Sequence, residues 1–328
     1  MALLINILFF LVFCIFLIIS GAICVRSLAK ISSFLGMSEF VVGFIIMALS
    51  TTIPELFVGI NSALNNNPSL SLGNVIGSNI VNLSLIAGIS VLTAGKIVCK
   101  QKEIKKDAIY MTLIALVPMV LMYLGNKLSR IDGILLITLF LLFSFRIYKR
   151  RKIHAAKQKN NVSRVSAVIN TAIFMLSIFL LFVFSKQIVK YSSFISSDLG
   201  LPLIFIGIFF VAIGTSLPEL VFSISAVKKG HSSFMLGDII GAVIVNSTLV
   251  LGITAVISPI SANFFLFLSS SLFMAVTCLI FATFIESGNK LSTTEGISLI
   301  FIYILFIVIE LSLAGVVPST SVINISGG

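Results

Sequence analysis

The sequence predicts an all-α polytopic membrane protein with ten transmembrane helices, built as two inverted-topology repeats of five helices each. Three observations carry this expectation. Apolar runs of about 20 residues, each long enough to cross a hydrocarbon core about 30 Å thick, recur along the whole chain. Basic residues gather in alternate connections between those runs. The second half of the chain repeats motifs of the first at a fixed offset.

Composition sets the class. Of the 328 residues, 58% are hydrophobic and 10% charged, and the mean hydropathy is +1.19. A soluble domain carries about a quarter charged residues, and no segment here reads as a separate soluble module. The net charge of +11 does not point to nucleic acid, because the Lys and Arg residues sit in short connections at the ends of apolar segments. There they set orientation. The densest cluster, Arg146 to Arg164, would lie against anionic headgroups, so membrane lipid is an expected partner and nucleic acid is not. Cys14, Cys24, Cys99 and Cys278 lie in or beside apolar runs without metal-ligand spacing and read as small buried hydrophobes. The N-terminal apolar run has no basic n-region and exceeds a signal-peptide core, so it reads as the first spanning helix.

The spans fall at about 4–25, 38–64, 69–94, 107–125, 131–149, 166–189, 202–227, 233–257, 263–285 and 295–317. With the loop after the fifth span in the cytoplasm, 18 basic residues lie in inner connections and four outside: Lys127, Arg130, Lys186 and Lys190. That asymmetry supports both the helix count and an orientation with both termini outside the cell membrane.

The repeat is the most informative feature. An offset of 164 lays residues 40–90 on 204–254 without a gap. The matched identities include Ala48, Thr51, Pro54, Glu55, Leu56, Gly73, Gly77 and Asn82 with Ala212, Thr215, Pro218, Glu219, Leu220, Gly237, Gly241 and Asn246. Residues 1–150 then form the first repeat, 151–165 a basic cytoplasmic loop and 166–328 the second repeat. An odd number of helices per half turns the second half upside down, and transporters with that architecture bind their substrate between the halves.

Glu55 and Glu219 are a matched pair of carboxylates at mid-membrane, where charge costs at least about 2.5–3.5 kcal/mol on insertion scales. Each directly follows a proline. Pro54 and Pro218 cannot donate an amide hydrogen, so the carbonyls of Ser50 and Gly214 lose their helical partners and the helix kinks or breaks. Such backbone is tolerated in a membrane where it faces protein or a water-filled cavity. Freed carbonyls and hydroxyls beside a carboxylate make an all-oxygen site, which suits hard cations such as Na⁺ and Ca²⁺. The next helix of each half adds Ser78, Asn82 and Asn246, with Ser78 and Asn82 four apart on one face. Its glycines let helices approach closely. Glu310, which has no counterpart in the first half, is expected to hydrogen-bond to a neighbouring helix.

Gly-Thr-Ser-Leu-Pro-Glu-Leu at 214–220 and Gly-Asn-Val-Ile-Gly-Ser-Asn-Ile at 73–80 resemble the cation/calcium antiporter superfamily, within it the prokaryotic sodium/calcium exchangers with two alpha repeats. The resemblance implies a secondary antiporter that exchanges Ca²⁺ for Na⁺ by alternating access, helices one and six sliding across the other eight. It also implies four cation sites around Glu55 and Glu219, with the backbone oxygens of Thr51 and Thr215 at the calcium site. The Ala48 carbonyl, Ser78 and Ser216 would serve the inner sodium site; the Ala212 carbonyl and Thr52 would serve the outer one. Asn82 and Asn246 would flank the centre. Three departures stand out: Ser50 replaces a glycine, Ala242 replaces the serine equivalent to Ser78, and Asn246 stands where some members have Asp. The expected pocket therefore has two central carboxylates and an outer sodium site short of one ligand.

A proton/calcium exchanger of the same fold is the nearest alternative, since H⁺ neutralises the same carboxylates; a cation channel is the next. An enzyme is not expected: there is no Ser/His/Asp set, two-histidine metal motif or phosphate loop, and His154 and His231 lie in loops. No cofactor is expected; Ca²⁺ and Na⁺ are substrates. The oligomeric state is left open, and a monomer is compatible with a site between two halves of one chain. The orientation is checked with a cysteine introduced at Gln158, which should react with membrane-impermeant reagents from the cytoplasmic side only; labelling from outside would reverse the topology.

Overall fold

The computed structural model describes residues 2–34, 47–99, 102–150, 163–288 and 290–314. Eight helical stretches among them are long and apolar enough to cross a membrane: Leu3–Cys24, Pro68–Ala94, Glu103–Gly125, Arg164–Leu199, Leu203–Lys228, Ser232–Ile257, Phe264–Ser287 and Thr293–Leu313. Two further helical segments fall on the remaining expected spans. Arg130–Arg150 runs for 21 residues, and Met47–Thr51 continues into Ile53–Leu64 across a break at Thr52. The expected start of that second span, residues 38–46, lies outside the described residues. The sixth span is longer than expected, Arg164–Leu199, and ends where Gly200 turns left-handed at φ 63°.

The two helices that carry the Gly-x-x-x-Gly steps form the centre. Pro68–Ala94 and Ser232–Ile257 are each 83% buried over their most apolar stretch, against 22% for Leu3–Cys24 and Arg164–Leu199. Small residues allow the close packing. A Cβ on Gly73 would fall on the Ile204 carbonyl, and one on Gly77 would fall on the Ile208 carbonyl and 2.7 Å from Ala212 Cβ. Around this centre Leu72, Ile76, Ile80, Ile240, Val243, Phe267, Phe281 and Phe306 belong to one large buried apolar cluster.

A second cluster joins Ala2–Phe34 to Arg164–Leu199 through Phe10, Leu17, Leu181 and Ile188. Aromatic rings line that seam: Phe9 and Phe13 stack on Tyr191 at 5.3 and 5.7 Å, and Phe16 on Phe184 at 5.2 Å. These two helices thus adhere to each other, and their outward faces, with Leu8, Ile15, Val168 and Phe179 exposed, are the apolar surface that lipid would cover.

Local features recur at the repeat spacing. Both central helices widen into a π-turn that starts at the matched asparagine, Asn82–Ile86 and Asn246–Val250. A strand β1 (Lys96–Val98) pairs antiparallel with β2 (Lys290–Ser292) at one end of the Lys102–Gly125 helix. At its other end Leu128 pairs with Ile260, the counterparts of Leu291 and Ile97 at the 163-residue offset that relates this part of the halves, and those two also pair with each other. The pairs are related by exchange of halves and close opposite ends of the same helix. Both following helices open alike: Asp132 accepts from the backbone N–H and hydroxyl of Ser129, and Glu295 from those of Ser292, as N-terminal capping boxes.

Because the Gly77 contact is backbone against backbone, Gly77→Ala should destabilise the fold by about 1–3 kcal/mol through overpacking. A lowered thermal midpoint in detergent is the expected result; an unchanged midpoint would mean the helices are not in close contact there.

Candidate cation site

The site is built on the two broken helices. Each stops one residue before its Pro-Glu helix begins, at Thr52 (φ −85°, ψ 2°) and Ser216 (φ −84°, ψ 1°), in nearly identical bridge-region geometry. Pro54 and Pro218 occupy the first turn of the restarted helices, where a missing N–H is harmless. The α-helical ladder therefore does not close between Thr51 and Glu55, or between Thr215 and Glu219. Both threonine carbonyls expected at the calcium site lie at this interruption.

All the expected side chains are buried: Glu55, Glu219, Thr51, Ser78, Asn82 and Asn246 are 0% exposed, and Thr52, Thr215 and Ser216 are 1% exposed. The structure brings part of the set into direct contact across the repeats. Ser78 Oγ donates to Glu55 Oε1 at 3.5 Å and lies 3.3 Å from Thr215 Oγ1. Thr215 Oγ1 also lies within hydrogen-bonding distance of Asn74 Oδ1, at 3.1 Å, and the Ala212 carbonyl, at 3.3 Å. Thr52 Oγ1 donates to the Ala48 carbonyl at 2.8 Å. Asn246 Nδ2 donates to Asn79 Oδ1 at 3.3 Å. Ser216 and Asn82 make no side-chain hydrogen bond among the described residues. Glu310 stands apart from the centre and accepts from Ser269 and Ser270 of the Phe264–Gly288 helix, 2.8 Å each, as expected of a carboxyl group tied to a neighbouring helix.

Seven buried oxygens around the centre have no hydrogen-bond partner: Glu55 Oε2, both oxygens of Glu219, Asp238 Oδ2, Asn82 Oδ1, Asn246 Oδ1 and Ser216 Oγ. Leaving a buried polar atom unpaired costs about 1–3 kcal/mol, and more for a charged one. Hard cations are the natural partners of such a donor set. Among the described residues no three His, Cys, Asp or Glu side chains converge as a metal cage. Carboxylates here are interspersed with hydroxyl, amide and carbonyl oxygens, a weaker field suited to ions that must also leave.

Residues 5–149 and 169–311 match the family described as sodium/calcium exchanger protein. The chain belongs to the sodium/calcium exchanger family. The sodium/calcium exchanger MaX1 of Methanosarcina acetivorans is 30% identical over 93% of this chain and 98% of its own length. Inner membrane protein YrbG of Escherichia coli is 30% identical over 68% of this chain and 71% of its own length. Among solved structures, the sodium-calcium exchanger NCX_Mj soaked with Na⁺ and Sr²⁺ superimposes with a TM-score of 0.67 at 25% identity, covering 93% of this chain and 98% of that one.

Two residues of this exchanger's centre escaped the sequence reading. Asp238, 0% exposed, accepts from Thr51 Oγ1 at 3.2 Å, which ties a further buried carboxylate to the first helix break. Its signal was present: Asp238 is the counterpart of Asn74 in the repeat, one turn before Ala242. Asn79 donates to Ser247 Oγ at 2.9 Å while accepting from Asn246, and so holds the start of the second π-turn. Its counterpart is Val243, and a polar residue without a matched partner gave no signal in the repeat.

Proposed function

We propose that this exchanger moves Ca²⁺ against Na⁺ across the cell membrane by alternating access, at a site centred on Glu55 and Glu219. The observation that carries the reading is the set of unpaired, fully buried oxygens gathered at two matched helix breaks. Thr51 and Thr215 supply backbone oxygen to Ca²⁺. Ala48, Ser78 and Ser216 serve sodium on one side, Ala212 and Thr52 on the other, and Asn82 and Asn246 border the centre. Full burial of these oxygens fits a transporter that occludes its cargo.

The ten-helix arrangement belongs to the same proposal. Its supports are the π-turns at Asn82 and Asn246, the helix breaks at Thr52 and Ser216, and the exchanged strand pairs at opposite ends of one helix. With an odd number of crossings per half and both termini outside, the basic loops lie in the cytoplasm. Ala2–Phe34 and Arg164–Leu199, bound to each other along an aromatic seam, form the unit that slides over the rest.

Antiport follows from electrostatics. Carrying an empty anionic pocket through an occluded state would strand charges in low dielectric at several kcal/mol each. Loaded forms cross and empty ones do not, so ions that compete for the same oxygens exchange. Glu55→Gln and Glu219→Gln should each reduce sodium-driven calcium flux in proteoliposomes to less than about a hundredth, the cost of breaking a buried charge pair, while membrane insertion persists. Strong calcium flux in both variants would remove the centre of the proposal.

Ala242 is fully buried at the position matching Ser78, whose hydroxyl reaches Glu55. Ala242→Ser should raise sodium affinity from the extracellular side by about 1–3 kcal/mol, with calcium affinity little changed. The sodium dependence of calcium flux in oriented vesicles measures it; a superimposable curve would place residue 242 outside the sodium site.

A further inference from the structure

Positions 74 and 238 are where the two halves of the site differ in charge. Asn74 and Asp238 lie one helical turn before Ser78 and Ala242, and each is 0% exposed. Each also bonds the threonine of the opposite half: Thr215 Oγ1 reaches Asn74 Oδ1 at 3.1 Å, and Thr51 Oγ1 reaches Asp238 Oδ1 at 3.2 Å. The threonine bond therefore needs only an amide oxygen, and the charge of Asp238 is surplus to it. Asp238 Oδ2 has no partner, and the Asp238 charge is close enough to act on both Glu55 and Glu219, which also carry unpaired oxygens.

We propose that Asp238 is a third anionic ligand of the transport pocket and binds one Na⁺ in the sodium-loaded state. The inference rests on the sodium/calcium exchange reading and deepens it. Two glutamates are neutralised by two Na⁺, whereas three carboxylates call for three. A compact monovalent ion fits a single carboxylate oxygen backed by the Thr51 hydroxyl, while the divalent ion is held between Glu55 and Glu219. Asp238 also sets the halves apart. The side that keeps Asn74 presents only neutral oxygen, and the side with Asp238 presents charge.

The full-length protein in proteoliposomes decides the matter through calcium flux measured against sodium concentration. Asp238→Asn, which retains an oxygen for Thr51 as Asn74 does for Thr215, should raise half-saturating sodium at least about tenfold through loss of a close charge. It should also reduce the steepness of the curve by about one ion. Asp238→Glu should keep the wild-type steepness. If the Asn variant is not recovered folded, Asp238→Ser, uncharged and oxygen-bearing, should give the same two changes. A sodium curve of Asp238→Asn that superimposes on wild type would overturn the proposal. Absence of sodium-driven flux in the wild type would instead refute the exchange reading, so the two failures are told apart.

Discussion

Holding carboxylates in the middle of a bilayer is the constraint around which the centre of this protein is organised. Glu55, Glu219 and Asp238 are all fully buried, and most of their oxygens lack a hydrogen-bond partner. Such groups are costly unless something supplies charge. The surrounding helices respond in a consistent way: they offer hydroxyls and amides in place of apolar side chains, and they break just before each glutamate. Proline in the first turn after each break makes that geometry a property of the local sequence, independent of distant packing.

The packing around the site follows from the same need. A site with oxygens from both halves requires the helices of those halves to come within backbone contact, and Gly73 and Gly77 provide it against Ile204, Ile208 and Ala212. The π-turns at Asn82 and Asn246 then shift the register of each central helix by one residue. That shift places the asparagine at the junction between a tightly wound segment and a looser one. Large apolar side chains on both sides of this junction, among them Ile76, Ile80, Ile240 and Val243, belong to the cluster that packs the central helices against their neighbours. The Ala2–Phe34 and Arg164–Leu199 pair is held mainly by its own aromatic seam. Strong adhesion within the pair, and weaker enclosure by the remainder, suit elements that move together.

Much of this was legible in the sequence because it repeats. Pro-Glu in both halves, the glycine steps and the matched asparagines all stand in register at one offset, and each has a physical reason to be polar or small. What the repeat hides is whatever differs between the halves. Asp238 stands in register with Asn74, but as a carboxylate it has no matched partner, so the pairing of like residues that marks Glu55 and Glu219 does not mark it. Asn79 is opposite a valine, and only the three-dimensional contact with Ser247 and Asn246 gives it a role. The ends of helices were the other weak point: Lys186 and Lys190 suggested a loop, whereas the helix runs on to Leu199 with both side chains exposed.

Differences between the halves also bear on how a pseudo-symmetric site can be directional. Two identical half-sites would present the same chemistry to either side of the membrane, so only the gradients would distinguish the faces. Here one half carries Asn74 and Ser78 and the other Asp238 and Ala242. On the first stripe oxygen is neutral and evenly spread over two turns; on the second it is charged and concentrated in one. A weak, distributed field releases a monovalent ion readily, while a single carboxylate with a hydroxyl beside it holds one more firmly. If Asp238 binds Na⁺ as proposed, the two faces of the site would fill at different sodium concentrations, even though the backbone that builds them is nearly the same.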